Sequence, residues 1–130
     1  VLLNKLQIFD KELILRNDIA KFYSENLKNY LSVPYVSKEN KSAWAQYSLL
    51  VNNKAERDEI ISFLSQKEIP TAVYYKKIFS DLELYKNLNN VISPISKDIS
   101  KRIFSIPMHP YLTQENLEKI TNSIISFFKR

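Results

Sequence analysis

Apolar residues recur along the first thirty positions at helical spacing. Leu2, Leu6, Phe9, Leu13, Ala20, Tyr23, Leu27 and Tyr30 fall on one stripe, because steps of three, four and seven residues return to the same face of an α-helix. The pattern predicts a helix over residues 2–31, either unbroken or as two helices meeting near Phe9 and Asp10. Pro34 ends it, since a proline pushes the residue before it out of the helical region. The polar run Ser37-Lys-Glu-Asn-Lys-Ser42 predicts a turn. Alternation takes over from Trp44 to Val51: Ala45, Tyr47, Leu49 and Val51 fall on one side, the period-two signature of a strand with one buried face.

Asn53 stands three residues before Glu56, the spacing at which two side chains satisfy free backbone N–H groups at a helix start. The helix it opens carries Ile60, Ile61 and Leu64 and closes before Pro70. Thr71-Ala-Val-Tyr-Tyr75 has the β-branched and aromatic make-up of a second strand. Residues 76–90 are less regular, with one short turn expected at 82–88. Ser93 and Pro94 supply an N-cap and first helical residue for a helix bearing Ile95, Ile99 and Ile103, which runs into a third strand at Phe104–Ile106. Thr113 caps a final amphipathic helix with Leu117, Ile120, Ile124 and Phe127 facing inward. No internal repeat or low-complexity stretch interrupts this order. The expected fold is α/β, in the broader sense α+β: a small three-stranded sheet packed by a long N-terminal helix and about three further helices.

Composition narrows the chemistry. A chain of 130 residues is one domain by length. It has no glycine, and loops that wrap phosphate or lift a nucleophile need glycine for left-handed backbone or close approach. It has no cysteine and one histidine, so disulfides, thiolate chemistry and structural zinc sites are not expected. Nothing requires an oxidising compartment, and cytoplasm is the expected location. No apolar run approaches the ~20 residues of a membrane span. The net charge is +5, yet the lysines and arginines are spread evenly, with only the pairs Lys76-Lys77, Lys101-Arg102 and Lys129-Arg130 as local groupings. A nucleic-acid surface shows clustered cations with interleaved aromatics; even spacing predicts a solvated exterior. Val1-Leu-Leu3 already lies inside the apolar pattern without a capping residue, so a truncated chain is expected.

Candidate chemistry is sparse. Ser105-Ile-Pro-Met-His-Pro-Tyr-Leu112 holds the sole histidine and methionine and two of five prolines. His109 has no partner that would make it a general base, and Met108 reads as core filler, so the run is expected to be a proline-stiffened corner. Trp44 reads as a hydrophobic anchor at a strand start. Gln46 and Ser48 fall on the less apolar face, toward solvent or another protein surface. Asp58 and Glu59 fall in a helix's first turn, where negative charge offsets the macrodipole; Asp81 and Glu83 form a second acid pair. Tyr74 and Tyr75 end a strand beside Lys76 and Lys77, a phenol-plus-ammonium group suited to an anionic ligand. No catalytic, cofactor-binding or metal-ligating residue is expected.

Taken in order, these segments resemble the C-terminal small domain of the DegT/DnrJ/StrS sugar aminotransferases. The resemblance rests on Leu2-Leu-Asn-Lys-Leu-Gln-Ile-Phe-Asp10, Arg16-Asn-Asp-Ile-Ala20, Ser42-Ala-Trp-Ala-Gln-Tyr47, Ile69-Pro-Thr-Ala-Val-Tyr-Tyr75 and Phe104-Ser-Ile-Pro-Met-His-Pro-Tyr-Leu112. It implies the small-domain fold of fold-type I enzymes. Residues 1–31 would be a helix leading out of a missing large domain, and residues 32–130 the small domain itself. It further implies pyridoxal phosphate (PLP) in the full-length enzyme but none in this chain, because the large domain carries the lysine, the aspartate and the phosphate cup. Implied partners are that large domain, a nucleotide-linked keto-sugar and a second copy in a homodimer, with neither nucleic acid nor membrane. Tyr74 and Tyr75 stand at the places of a His-Tyr pair that lines the sugar side in relatives, and Lys76 stands where proline is usual. Ile78, Ser80 and Glu83 also depart from the family's residues. The implied activity is transfer of an amino group from an amino acid, glutamate, to a keto-sugar, with the fragment alone inactive. A stand-alone basic binding module, or a decayed split-gene product without catalysis, is the alternative.

Overall fold

A computed structural model describes residues 2–85 and 93–130. Residues 2–27 form one unbroken helix, α1 (Leu2–Leu27). It stops short of residue 31 because Ser32 exchanges two hydrogen bonds with Leu50, each 3.0 Å. That pairing demands extended backbone just before Pro34. The described elements continue with β1 (Tyr47–Leu50), α2 (Lys54–Gln66), two single 3₁₀ turns (Phe79–Asp81 and Glu83–Tyr85), α3 (Pro94–Arg102), β2 (Ile103–Ile106) and α4 (Gln114–Phe128). The turn expected at 82–88 lies partly outside the described residues.

The described sheet has two strands, not three. β1 and β2 pair antiparallel, Tyr47 opposite Ile106 and Leu50 opposite Ile103. The Thr71–Tyr75 segment contributes a single bridge, Ala72 with Ser105, through hydrogen bonds of 2.7 and 3.1 Å. Pro70 has no N–H to extend the pairing on one side, and the chain turns at Tyr74 on the other. β1 also starts later than expected. Trp44 holds a left-handed backbone (φ 47°), and Ala45 is exposed rather than inward-facing.

Helix ends show how a chain without glycine manages. Asn53 Oδ1 accepts from the Glu56 N–H at 3.0 Å, and Glu56 Oε2 accepts from the Asn52 N–H at 2.7 Å. The reciprocal cap is thus shifted by one residue. At the other end of α2 the left-handed position falls on Glu68 (φ 60°), which lets the Ile69 N–H reach the Leu64 carbonyl at 3.0 Å. Ser93 and Thr113 cap α3 and α4 as their sequence positions predict, accepting from Ser96 N–H and Asn116 N–H. α3 nonetheless buries none of its residues: Ile95 is 71% exposed, and Ile103 already belongs to β2.

One core gathers Tyr23 and Leu27 of α1, Tyr47 and Leu49 of β1, Ile60 and Leu64 of α2, Phe104 and Ile106 of β2, and Leu117, Ile120 and Ile124 of α4. Tyr23 and Tyr47 lie with ring centroids 5.1 Å apart. Their hydroxyls are satisfied: Tyr23 donates to the Pro107 carbonyl at 3.0 Å, and Tyr47 pairs with Ser24 Oγ at 2.7 Å. Burial pushes both phenols above the ordinary tyrosine value. Arg130 stacks on Phe63, 3.7 Å from the ring centre, and lies 4.9 Å from Phe127, tying α2 to the end of α4. The outer half of α1 is different: its stripe stays apolar, yet Leu2 is 78% exposed and Leu6 and Phe9 are exposed too.

Phe104→Ala should cost about 3–5 kcal/mol by opening a cavity in the core. Tyr23→Phe should cost about 1–2 kcal/mol through the unsatisfied Pro107 carbonyl, and Ile95→Ala less than about 0.5 kcal/mol. Urea midpoints at unchanged slope check all three. The folded state holds the Tyr23 and Tyr47 protons more tightly than the unfolded chain. Their contribution is therefore complete below about pH 10 and lost as pH rises above it. Tyr23→Phe should shrink that alkaline loss.

Candidate functional site

The Ala72–Ser105 bridge anchors the segment that leads to the tyrosine pair. Val73 packs against the core, after which the chain turns and lifts Tyr74 and Tyr75 out, 43% and 73% exposed. The Tyr74–Tyr75 peptide is cis, and the rings meet edge to face with centroids 5.8 Å apart. Lys76 and Lys77 follow on the same exposed corner. Two phenols and two ammonium groups thus stand exposed beyond the sheet's edge, and Phe79, two residues on, is exposed as well. Such a corner can donate hydrogen bonds to hydroxyls and balance an anion.

The proline run leaves the far end of β2 and is a corner. Pro110 is buried, and Met108 and Leu112 pack against the core. His109 is exposed; its Nδ1 accepts from the Tyr111 N–H at 3.3 Å, and its carbonyl accepts from the Leu112 N–H at 3.4 Å. Trp44 is an anchor as expected, tilted on Tyr47 at 5.7 Å. Its left-handed backbone costs of order 1–3 kcal/mol. It is held by Arg16 Nη1 donating to its carbonyl at 2.9 Å, by its indole N–H donating to Asn17 Oδ1 at 2.9 Å, and by its N–H donating to Ser42 Oγ at 3.2 Å. An open cleft of about 460 Å³ beside it is lined by Asn17, Lys21, Ser24 and Tyr35. Asn17 and Ser24 there are already engaged, with Trp44 and Tyr47.

Asp58 is ion-paired with Lys54 at 2.7 Å and Arg57 at 2.8 Å, the Lys54 bond first holding its carboxyl below the ordinary value. Asp58 and Glu59 lie beyond the first turn of α2, where Glu56 is the acidic residue, so the expected first-turn placement is corrected. A polar group that pattern reading overlooks lies on α1. Glu12 Oε1 accepts from Lys5 Nζ at 2.7 Å and from the Tyr111 hydroxyl. The Lys5 bond, then the Tyr111 bond, hold the Glu12 carboxyl below the usual carboxylate range; the same bonds push the Lys5 ammonium and the Tyr111 phenol up. The seven-residue spacing of Lys5 and Glu12 puts them on one helix face. The partnership with Tyr111 has no local signal.

Among the described residues no group of three metal-binding side chains gathers, and no helix is long and apolar enough to cross a membrane. Every described lysine is exposed, whereas a lysine–aldehyde linkage to PLP needs one enclosed beside a phosphate cradle. The described residues do not by themselves fit that cofactor.

The sequence profile of the DegT/DnrJ/EryC1/StrS aminotransferase family matches residues 1–125. The UDP-2-acetamido-2-deoxy-3-oxo-D-glucuronate aminotransferase of Pseudomonas aeruginosa is 30% identical over 92% of this chain and 33% of its own length. The dTDP-3-amino-3,6-dideoxy-alpha-D-galactopyranose transaminase of Aneurinibacillus thermoaerophilus is 26% identical over 92% of this chain and 32% of its own. The crystal structure of a DegT DnrJ EryC1 StrS aminotransferase from Brucella abortus superposes on all of this chain and 35% of its own, with a TM-score of 0.91 and 37% identity. The chain thus spans about a third of the length of the curated relatives it matches.

Because the Lys5 bond is the larger cause, Lys5→Met should raise the Glu12 titration midpoint toward the ordinary carboxylate value more than Tyr111→Phe does. Carboxyl-carbon NMR shifts followed through an acid titration check the order.

Proposed function

The chain belongs to the DegT/DnrJ/EryC1/StrS aminotransferase family, and on that premise we propose that it is the C-terminal part of a nucleotide-sugar aminotransferase. The parent enzyme transfers an amino group from glutamate to a keto-sugar carried on a nucleotide, in the cytoplasm and as a homodimer. One observation carries the reading: 30% identity across 92% of the chain with a protein named as such an aminotransferase, while spanning only 33% of it.

In this division residues 1–31 lead out of a large domain and residues 32–130 form the small domain. The large domain covers the apolar outer face of α1, where Leu2, Leu6 and Phe9 are exposed, and removal of that face from water favours the docking. PLP, which carries the amino group between the two substrates, is held by that large domain. The small domain supplies one wall of the substrate cleft through Tyr74, Tyr75 and Lys76. Their phenols bond sugar hydroxyls, and the Lys76 ammonium balances a phosphate charge of the nucleotide. The exposure of the tyrosine pair supports this role. Lysine in place of proline makes the corner more cationic and suits it to an anionic substrate.

The purified 130-residue chain should convert no nucleotide keto-sugar to its amino-sugar. The same chain joined to the large domain should do so with glutamate as donor, read by mass spectrometry of the product. Turnover by the chain alone would end this reading. In the joined enzyme, Tyr75→Phe and Lys76→Ala should each lower kcat/KM for the keto-sugar about tenfold, the effect of losing one useful polar contact. The glutamate half-reaction should stay unchanged.

A further inference from the structure

The Lys5–Glu12–Tyr111 cluster has no part in the proposed reaction, yet it occupies a singular place in the fold. Tyr111 comes 99 residues after Glu12, on the corner between β2 and α4. The other side-chain hydrogen bonds described between α1 and the rest lie nearer its C-terminal end: Arg16 with Trp44, Asn17 with Trp44, Tyr23 with Pro107 and Ser24 with Tyr47. Full burial of α1 residues likewise begins only at Ile19. The Glu12–Tyr111 bond is therefore the outermost polar tie. Beyond it the helix runs on for about 15 Å with its apolar side chains exposed.

A helix of that length without cover is marginal in water. Its direction is set by whatever holds it last. Three features suit Glu12 to that task. The corner that delivers Tyr111 is stiffened by Pro107 and Pro110 and by the His109–Tyr111 contact. The acceptor is ionised, which strengthens the bond relative to a neutral pair. Lys5 grips the same carboxylate oxygen from two turns away, limiting the rotamers from which Glu12 can leave Tyr111. Arg16, one turn on, adds a second positive charge nearby.

We infer that Glu12 is a positioning residue: its carboxylate latches the outer half of α1 to the β2–α4 corner, so that helix direction and corner position change together. This rests on the contacts alone and stands or falls apart from the proposed reaction.

Amide hydrogen exchange on the 130-residue chain tests it. Tyr111→Phe removes the tie and keeps the ring. Exchange at residues 6–12 should speed about tenfold, the scale of one charge-assisted hydrogen bond, through a local opening that low urea leaves unaffected, while Ile19–Leu27 open only in step with urea-driven global unfolding. Lys5→Met should give a smaller change at the same amides. The double variant should fall short of the sum, because both donors share one oxygen. Glu12→Gln, which keeps an acceptor, should recover part of the protection that Glu12→Ala loses. Unchanged exchange at residues 6–12 in Tyr111→Phe would overturn the latch. So would exchange at residues 6–12 that rises with urea as steeply as at Ile19–Leu27, which would make the bond a general stability contact.

Discussion

Tyr23 is fully removed from solvent, and a buried phenol must find an acceptor or lose the free energy of its hydration. Its acceptor is the Pro107 carbonyl, 84 residues away. That one requirement sets the position of α1 along the sheet, because the helix cannot slide or rotate without stranding the hydroxyl. It also sets where β2 must end, since Pro107 is the first residue after Ile106. The neighbouring Tyr47–Ser24 bond repeats the arrangement one residue along the helix. Among the described residues no buried side-chain polar atom lacks a partner.

From this anchor the structure loosens outward. The pairing of β1 with β2 ends at Leu50 and Ile106, and the segments beside them add one bridge each, at Ser32 and Ala72. The side chains with most chemical freedom sit just past those bridges. Tyr74, Tyr75 and Lys76 are carried on a turn fastened to the sheet at Ala72, a rigid support for an exposed corner. At the other end of β2 the proline corner holds Tyr111 against Glu12. The two ends therefore differ: one leaves its side chains exposed to solvent, the other ties the chain to itself.

Much of this is legible in the sequence. The alternation of Tyr47, Leu49 and Val51, the caps at Asn53, Ser93 and Thr113, and the stripe of α4 are local signals, and local backbone physics honours them. The proline corner and the anchoring role of Trp44 were readable for the same reason. What misled were positions where a local preference met a distant competitor. Residues 28–31 continue a helical stripe but yield to pairing of Ser32 with Leu50. Thr71–Tyr75 has strand composition but is bounded by Pro70 and a turn. Ile95 keeps helical spacing with Ile99, yet among the described residues α3 lies at the periphery and leaves Ile95 exposed.

The sequence by itself determined the order and kind of nearly every described element, the absence of glycine-dependent loops, and the family to which the chain belongs. Each of these depends on residue identity and near-neighbour spacing. Only the tertiary structure decided which apolar stripes are buried, how many strands pair, and that Glu12 meets Tyr111. Those outcomes depend on which surfaces compete for the same neighbour across 50 to 100 residues, and periodicity carries no information about a partner at that distance.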